Sequence, residues 1–318
     1  MPAVAPPSQP PPSAERASAA IDLQHVRQLF SRPAGVAESG FLRREIAGRM
    51  FERLELIKLA PELVLDAGCG DGADLPLLRQ RFGSARLVGV DASAAMLDAA
   101  RASQTAAQSS INRLLQRWLP KTTAGAGIGA ELACGNFAQL PLAADSADLI
   151  WSNLALHWHP QPHQVFTEWR RVLRIDGLLM FSCFGPDTFR ELRAAWSGVD
   201  RTPHTLPFVD MHDFGDMLVD AGFATPVMDM ETITVTYADP ARLLQDARAW
   251  GGNPLATRSR GLVGRAAYRR VLDALEDGRR PDGTLPLTFE IVYGHAFRPP
   301  PRTTSSGEAI VRFDRPKR

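Results

Sequence analysis

Cysteine, lysine and tyrosine are scarce in this chain of 318 residues, and long apolar runs are absent from it. The three cysteines, Cys69, Cys134 and Cys183, are too few and too widely spaced for a disulfide framework or a zinc site. No apolar run approaches the roughly 20 residues that a membrane-spanning helix needs. We therefore expect a cytoplasmic protein with no metal site and no membrane partner.

The charge balance excludes a second group of partners. The formal net charge is +1, from 36 basic and 35 acidic residues, so no global field attracts nucleic acid or an anionic membrane. Arginine supplies nearly all of the basic charge, because Lys58, Lys121 and Lys317 are the only lysines. Hydrophobic residues make up 45% of the chain, which is enough for a full globular core.

The two ends of the chain differ in composition from its middle. Residues 1–20 are rich in Pro, Ala and Ser and lack hydrophobic periodicity, so we predict a disordered tail there. They have neither the apolar core of a signal peptide nor the arginine-rich pattern of a transit peptide. Residues 299–318 form a second polar tail. One folded domain is expected over residues 21–298.

The clearest motif follows a short apolar run at residues 63–65. Asp66 ends that run, and glycines occupy alternate positions after it, at Gly68, Gly70 and Gly72. Such a run is typical of a strand buried in a parallel sheet. Alternate glycines permit a sharp turn and bring backbone N–H groups close to a ligand at the start of the next helix. The motif predicts a nucleotide-binding turn.

Two types of cofactor fit this turn. Gly68, Gly70 and Ala73 satisfy the dinucleotide pattern G-x-G-x-x-G/A, and Asp91 lies about 20 residues on, where an acid would bind a ribose. Asp66 extends the motif to D-x-G-x-G-x-G, which resembles motif I of the class I S-adenosylmethionine (SAM) methyltransferases. A turn that serves packing alone is the third interpretation.

Asp91 itself has two possible roles. It ends the second predicted strand, and ligands of open α/β sheets lie beyond such strand ends, where a carboxylate can accept both hydroxyls of a ribose. It could instead cap the helix that follows, a role for which Ser93 competes. We favour the ribose.

Strand and helix patterns alternate from residue 63 to residue 183. This alternation predicts an α/β fold with a mostly parallel, doubly wound sheet. Residues 103–130 interrupt it with a polar stretch, which we interpret as a surface excursion around an amphipathic piece.

Later features also resemble the class I methyltransferases. A polar–aromatic pair follows the third strand, where an amide could bind the adenine edge, and Asn153 follows the fourth. The dinucleotide interpretation has no comparable support downstream. The resemblance implies SAM as the cofactor and an antiparallel last strand. The cofactor-binding residues that we predict are Asp66, Gly68, Gly70, Gly72, Asp91, Asn136, Phe137 and Asn153.

A helical insertion is predicted before the final strand. Residues 227–237 alternate as a strand. The resemblance to class I methyltransferases implies that residues 287–297 pair with this strand, which leaves residues 239–283 as a lid or partner surface. Within it, the segment 258–270 is rich in arginine. The arginines could belong to a surface that binds a partner, or they could form a charged face that is only solvated. The arginines are Arg258, Arg260, Arg265, Arg269 and Arg270.

Several longer runs resemble the malonyl-acyl-carrier-protein O-methyltransferases of biotin synthesis. The likeness extends over residues 25–298 and implies that the chain methylates the free carboxylate of a malonyl thioester. An acidic carrier protein would then dock on segment 258–270. The runs cover residues 44–59, 152–158, 184–192, 207–213 and 287–296.

Two alternatives remain beside that function. A mitochondrial complex I assembly factor family, which hydroxylates an arginine of a partner subunit, shares several runs, including G-x-D-T-x-x-E-L at residues 185–192. Another small acid or a quinone-like molecule could also be the methyl acceptor. One family feature is missing: a Tyr-Asp pair usually precedes the R-E-I run, and Ala37 and Glu38 stand near that place.

A carboxyl methyltransferase needs orientation more than acid–base chemistry. Its acceptor is already ionised at neutral pH, so the site must align it, dehydrate it and hold it with a basic group. His157 and Trp158 are candidates for the pocket wall, with His157 as a possible hydrogen-bond donor. Arg43 and Arg44 are candidates for the carboxylate clamp. A structural histidine and solvent-exposed arginines are the alternatives.

Overall fold

A computed structural model describes residues 20–38, 40–115, 129–250 and 252–301, without the side chains of residues 37, 38 and 108–115. Most of both predicted tails lies outside these ranges. Within them, no helix is both long enough and apolar enough to cross a membrane.

Helices and strands alternate along the described residues, and a short 3-10 helix, Leu156–Trp158, follows the fourth strand. The helices are α1 (Leu23–Leu29), α2 (Pro33–Glu38), α3 (Gly40–Glu55), α4 (Leu75–Arg81), α5 (Ala94–Leu115), α6 (Pro162–Val172), α7 (Arg190–Ser197), α8 (Met211–Asp220), α9 (Pro240–Ala249) and α10 (Arg265–Glu276). The strands are β1 (Leu63–Ala67), β2 (Arg86–Asp91), β3 (Glu131–Cys134), β4 (Ala147–Asn153), β5 (Leu173–Phe184), β6 (Ala224–Tyr237) and β7 (Leu285–Phe297).

These strands form one sheet in the order β3-β2-β1-β4-β5-β7-β6. Strands β1 to β5 pair in parallel, and β7 lies between β5 and β6, antiparallel to both. The α/β class, the doubly wound order and the antiparallel last strand are confirmed. The order reverses between β1 and β4, so a crevice for a ligand opens beyond the C-terminal ends of these two strands.

The core lies on both faces of the sheet, which explains the uninterrupted apolar run of β1. Val64 packs into the cluster on one face together with Ile46 of α3, whereas Leu65 packs into the opposite cluster with Phe166 of α6. Alternate residues of a strand point to opposite faces, so a strand covered by helices on both sides needs apolar residues throughout.

Helix α3 is fixed to the sheet on two sides of its axis. Its fully buried residues recur with helical spacing, at Ile46, Met50 and Leu54. From its exposed side, Arg53 reaches the end of the sheet, where Nη2 lies 2.5 Å from Oδ2 of Asp229 and the guanidinium carbon lies 4.0 Å from the ring centroid of Tyr293. The helix therefore has one orientation, and its first turn lies over the crevice.

The structure differs from the sequence predictions at two places. Helix α5 continues to Leu115, so the predicted surface excursion begins as helix; residues 116–128 lie outside the described residues. Strand β5 begins at Leu173, before the apolar run at residues 178–183 that predicts a fifth strand, because its irregular first residues, which include Asp176 with a φ of 63°, still reach β4 at Ala147. The insertion is helical as predicted, and consists of α9, α10 and their connection.

Candidate functional site

The turn after β1 is held in a conformation that requires glycine. Gly68 has a φ of +85°, and a Cβ on it would lie 2.4 Å from Cβ of Ala155. Its N–H and that of Cys69 both donate to the carbonyl of Val90 in β2, at 2.8 and 3.1 Å. Both the backbone conformation and the close approach of the next loop therefore exclude a side chain at Gly68.

Asp91 joins this turn to the start of α5. Its Oδ2 accepts the N–H of Gly70 at 2.9 Å, and its Oδ1 accepts the N–H of Ser93 at 2.8 Å. Ser93 caps α5, since its Oγ accepts the N–H of Met96 at 3.3 Å. Two fixed backbone donors orient the carboxylate of Asp91 at the edge of a cavity, and its remaining lone pairs are available to a ligand.

Four carboxylates surround that cavity: Asp66, Asp71, Asp74 and Asp91. Asp66 is only 2% exposed, and its Oδ2 has no hydrogen-bond partner among the described residues. Burial, followed by the charges of Asp74 and Asp91, raises the pKa of Asp66 well above its usual range. Such a cavity favours a ligand that brings positive charge to the buried acid.

Apolar side chains from distant parts of the chain complete the cavity. Phe30, at the end of α1, packs edge-on against Trp158 with ring centroids 5.3 Å apart. The carbonyl of Phe30 accepts a hydrogen bond from Oγ of Ser93 at 2.8 Å, which fixes α1 over the cavity as a roof. Val26 and Met96 line the same space. A flat aromatic ligand group would fit between these side chains.

Residues 65–181 match the methyltransferase domain family. A malonyl-[acyl-carrier protein] O-methyltransferase of Laribacter hongkongensis is 45% identical over 297 residues, which cover 92% of this chain and 96% of that protein. One from Gallionella capsiferriformans is 46% identical over 295 residues, with the same coverage of both chains. The chain belongs to the malonyl-[acyl-carrier protein] O-methyltransferase family.

The fold of this methyltransferase is also found in solved structures. The YcgJ protein of Bacillus subtilis superposes with a TM-score of 0.52 at 16% identity, over 81% of this chain and 100% of that one. The cofactor is S-adenosylmethionine, and the cavity fits it. Its sulfonium and ammonium groups are positively charged, and Oδ2 of Asp66, which has no partner among the described residues, can pair with such a charge.

Most of the predicted site residues of this methyltransferase line the cavity. Two predicted residues lie beside it: Gly72 packs against Ala100 of α5, and Asn136 uses its Oδ1 to accept the N–H of Ala138 at 2.9 Å. The residues that line it are Arg43, Asp66, Gly68, Gly70, Asp91, Phe137, Asn153 and Trp158.

Asn153 connects the sheet to α3. Its Oδ1 accepts the hydroxyl of Ser182 in β5 at 2.8 Å, and its Nδ2 donates to the carbonyl of Arg43 at 3.1 Å. Asn153 thus positions α3, in addition to lining the cavity.

The two arginines at the start of α3 point in different directions. Arg43 lines the cavity and donates to the carbonyl of Val36, and burial lowers its pKa. Arg44 is exposed, and Nη1 of its guanidinium folds back to 3.0 Å from where a Cβ of Gly40 would lie. Of the two predicted clamp residues, the structure brings only Arg43 to the cavity.

His157 lies behind the cavity wall, outside the cofactor cavity itself. Its ring is enclosed by Trp158, Phe184 and Phe208, with centroids 4.9, 4.8 and 5.8 Å away. Neither ring nitrogen has a partner among the described residues, and burial lowers its pKa to about 3. A neutral imidazole in this position packs against Trp158 and does not line the cofactor cavity.

Other cavity residues were missed by the sequence analysis. Val26, Phe30, Ser93, Met96 and Asp74 line it, and only the motif position of Asp74, three residues after Asp71, offered a local signal. The side chains of Ala37 and Glu38, near the place of the missing Tyr-Asp pair, lie outside the described residues.

Proposed function

We propose that this protein transfers the methyl group of SAM to the free carboxylate of malonyl-[acyl-carrier protein], in the cytoplasm and as a step of biotin synthesis. The observation that carries the proposal is the 42–46% identity to proteins of that name over about nine-tenths of the chain. The cavity supports it, because its chemistry suits a cationic methyl donor and an anionic acceptor.

The reaction needs no general base. SAM supplies a methyl group, whose bond to sulfur breaks as a carboxylate oxygen bonds to the methyl carbon, and the electron pair of the broken bond stays on sulfur. A malonyl carboxylate is ionised at neutral pH, so no proton has to be removed. This accords with a site in which the nearby histidine, His157, is neutral and outside the cofactor cavity.

The side chains of the cavity then act by binding and alignment. Asp66 neutralises the cationic end of the cofactor, and Asp91 accepts its ribose hydroxyls. Phe30 and Trp158 exclude water from the reacting atoms. Arg43 is the guanidinium that holds the acceptor carboxylate in line with the methyl group.

Segment 258–270 is the proposed docking surface for the acidic carrier protein. Four of its arginines are exposed and make no ion pair with any described residue, while Arg258 lies 3.5 Å from Asp22. Solvated arginines free of intramolecular partners can pair with carboxylates of a partner and speed its encounter. The four are Arg260, Arg265, Arg269 and Arg270.

The test is methyl transfer from labelled SAM to purified malonyl-carrier protein. We expect label in a base-labile methyl ester on the malonyl group. Acetyl-carrier protein is the matched control, because it lacks the free carboxylate, and it should stay unlabelled. Tight SAM binding with no labelled ester, or equal labelling of both carrier proteins, would contradict the proposal.

A further inference from the structure

A second cavity adjoins the cofactor cavity and shares one wall with it. Trp158 lines both, so its indole is the partition between them. The second cavity has a volume of about 240 Å³ and lies between the ends of β5 and α9. One water molecule needs about 10–15 Å³ of such space, so the cavity has room for a three-carbon acyl thioester.

The walls of this second cavity are aromatic and rigid. Phe208 packs edge-on against Phe184 at 5.6 Å and lies 6.4 Å from Phe189. Trp250 packs edge-on against Phe289 at 5.2 Å. Interlocked buried rings of this kind keep their positions when a ligand enters, so the shape of the cavity is set before binding.

Four of the residues that line the cavity have polar side chains: His204, Thr205, Arg248 and Asn253. His204 stacks on Trp196 at 3.6 Å, and its Nε2 lies 2.9 Å from Oδ1 of Asp200. Arg248 lines the cavity from the exposed side of α9. The interior suits a neutral thioester and its methylene groups. The malonyl carboxylate would extend past Trp158 to the cofactor cavity, where Arg43 and the positive charge of the cofactor would compensate its loss of water.

The mouth of the cavity meets the proposed docking surface. Val263, which is 45% exposed, both lines the cavity and belongs to segment 258–270. Arg260 and Arg265 flank it in the chain. A carrier protein held by these arginines would present its flexible arm at this opening, and the arm would lead inward to Trp158.

We propose that the second cavity receives the malonyl thioester, and that Ala247 and Leu244 of α9 set the length of the acyl group that fits. The inference rests on the proposed function, and it assigns a binding site to the acceptor of that reaction. Both residues line the cavity and are at least nine-tenths buried. A small side chain at Ala247 leaves the space that the acyl group occupies.

The test is to fill the cavity with a larger side chain on α9. In the full-length protein, Ala247→Phe should lower kcat/KM for malonyl-carrier protein by about tenfold or more, since no free volume is left for the acyl group. The dissociation constant for SAM, measured by calorimetry, should stay within about twofold, because Ala247 does not line the cofactor cavity. Gln245→Phe, which adds the same ring on the exposed side of α9, is the matched control and should change neither quantity.

Each outcome decides between the two proposals. A wild-type protein that leaves malonyl-carrier protein unmethylated refutes the proposed function and this inference with it. Wild-type turnover that Ala247→Phe leaves unchanged refutes the inference alone. If Ala247→Phe fails to fold, Leu244→Ala decides: a deeper cavity should raise the rate with glutaryl- relative to malonyl-carrier protein by about fivefold, and an unchanged ratio overturns the inference.

Discussion

Asp66 shows how a single buried residue determines which ligand a site accepts. Its unpaired oxygen lies in a cavity that three other carboxylates also line. Burial, followed by the charges of Asp74 and Asp91, raises the pKa of Asp66, so the carboxyl is ionised most readily when a cation is bound. Cofactor binding should therefore release a proton.

Replacing Asp66 by Asn tests this role. We expect Asp66→Asn to raise the dissociation constant for SAM by about tenfold or more, which is the cost of losing a hydrogen bond to a charged group. In the wild type, affinity should fall as the pH falls through the raised pKa, because a protonated Asp66 is neutral. The variant should lose that dependence in calorimetry recorded from neutral to acidic pH.

The matched control is Asp71→Asn, which removes the same charge from a less buried position of the same cavity. It should weaken binding less and keep the pH dependence. Equal effects of the two substitutions, or an unchanged pH profile in Asp66→Asn, would contradict a specific role for Asp66.

Whether a site residue can be predicted depends on whether its position is determined by the local sequence. Gly68 and Asp91 were found because the glycine spacing and the distance between two strand ends are properties of a short stretch. Arg44 and His157 were placed at the site by proximity in sequence, but side-chain direction depends on helical phase and packing. A turn of 100° along α3 separates Arg43 in the cavity from Arg44 in solvent.

At the scale of elements, the least predictable part is the roof. Helix α1 has seven residues, none of them buried, so neither its length nor its hydrophobic pattern makes it stable alone. Contacts at its ends hold it in place: Asp22 accepts the N–H of His25 at 3.0 Å, and Ile21 forms a backbone bridge with Leu255. The Asp22 cap is local, but Leu255 lies far from Ile21 in the chain, so no sequence window includes that contact.

Asp22 holds the roof in two ways that substitutions can separate. Its Oδ1 caps α1, and its Oδ2 lies 3.5 Å from Nη1 of Arg258. Asp22→Ala removes both contacts and should raise the dissociation constant for SAM by about fivefold, whereas Asp22→Asn keeps a capping side chain and should cost less. Calorimetry of both variants measures the affinity for SAM, and hydrogen exchange of residues 23–29 measures the stability of α1. Identical affinities in the wild type and the two variants would contradict a role for α1 in closing the cavity.

At the scale of the whole molecule, positive charge is concentrated in one region of the surface although the net charge is near zero. The net charge of +1 predicted no strong field, yet the exposed arginines of α10 face solvent without partners among the described residues. The sequence could predict the α/β class and a mostly parallel, doubly wound sheet, because alternating strands and helices permit few arrangements. It could not predict that the arginine segment borders a cavity next to the cofactor, since the residues concerned come from four separate parts of the chain.

Charge reversal tests whether that segment docks the carrier protein. Arg265→Glu combined with Arg269→Glu should raise KM for malonyl-carrier protein by about tenfold at low salt, with a smaller effect at high salt, where exposed charges are screened. Lys58→Glu combined with Arg81→Glu makes the same change in net charge near the N-terminal ends of β1 and β2, far from the cavities. This second pair should leave KM unchanged. Equal effects of the two pairs would attribute the loss to net charge alone.

The partition between the two cavities has an optical consequence. An indole that borders both cavities should change its emission when either one is filled, so we expect Trp158 to be an intrinsic fluorescent probe for each ligand. Subtracting the spectrum of a Trp158→Phe protein isolates its signal from that of the other tryptophans. Stopped-flow traces recorded with the two ligands added in either sequence would then reveal the order in which the enzyme assembles its ternary complex.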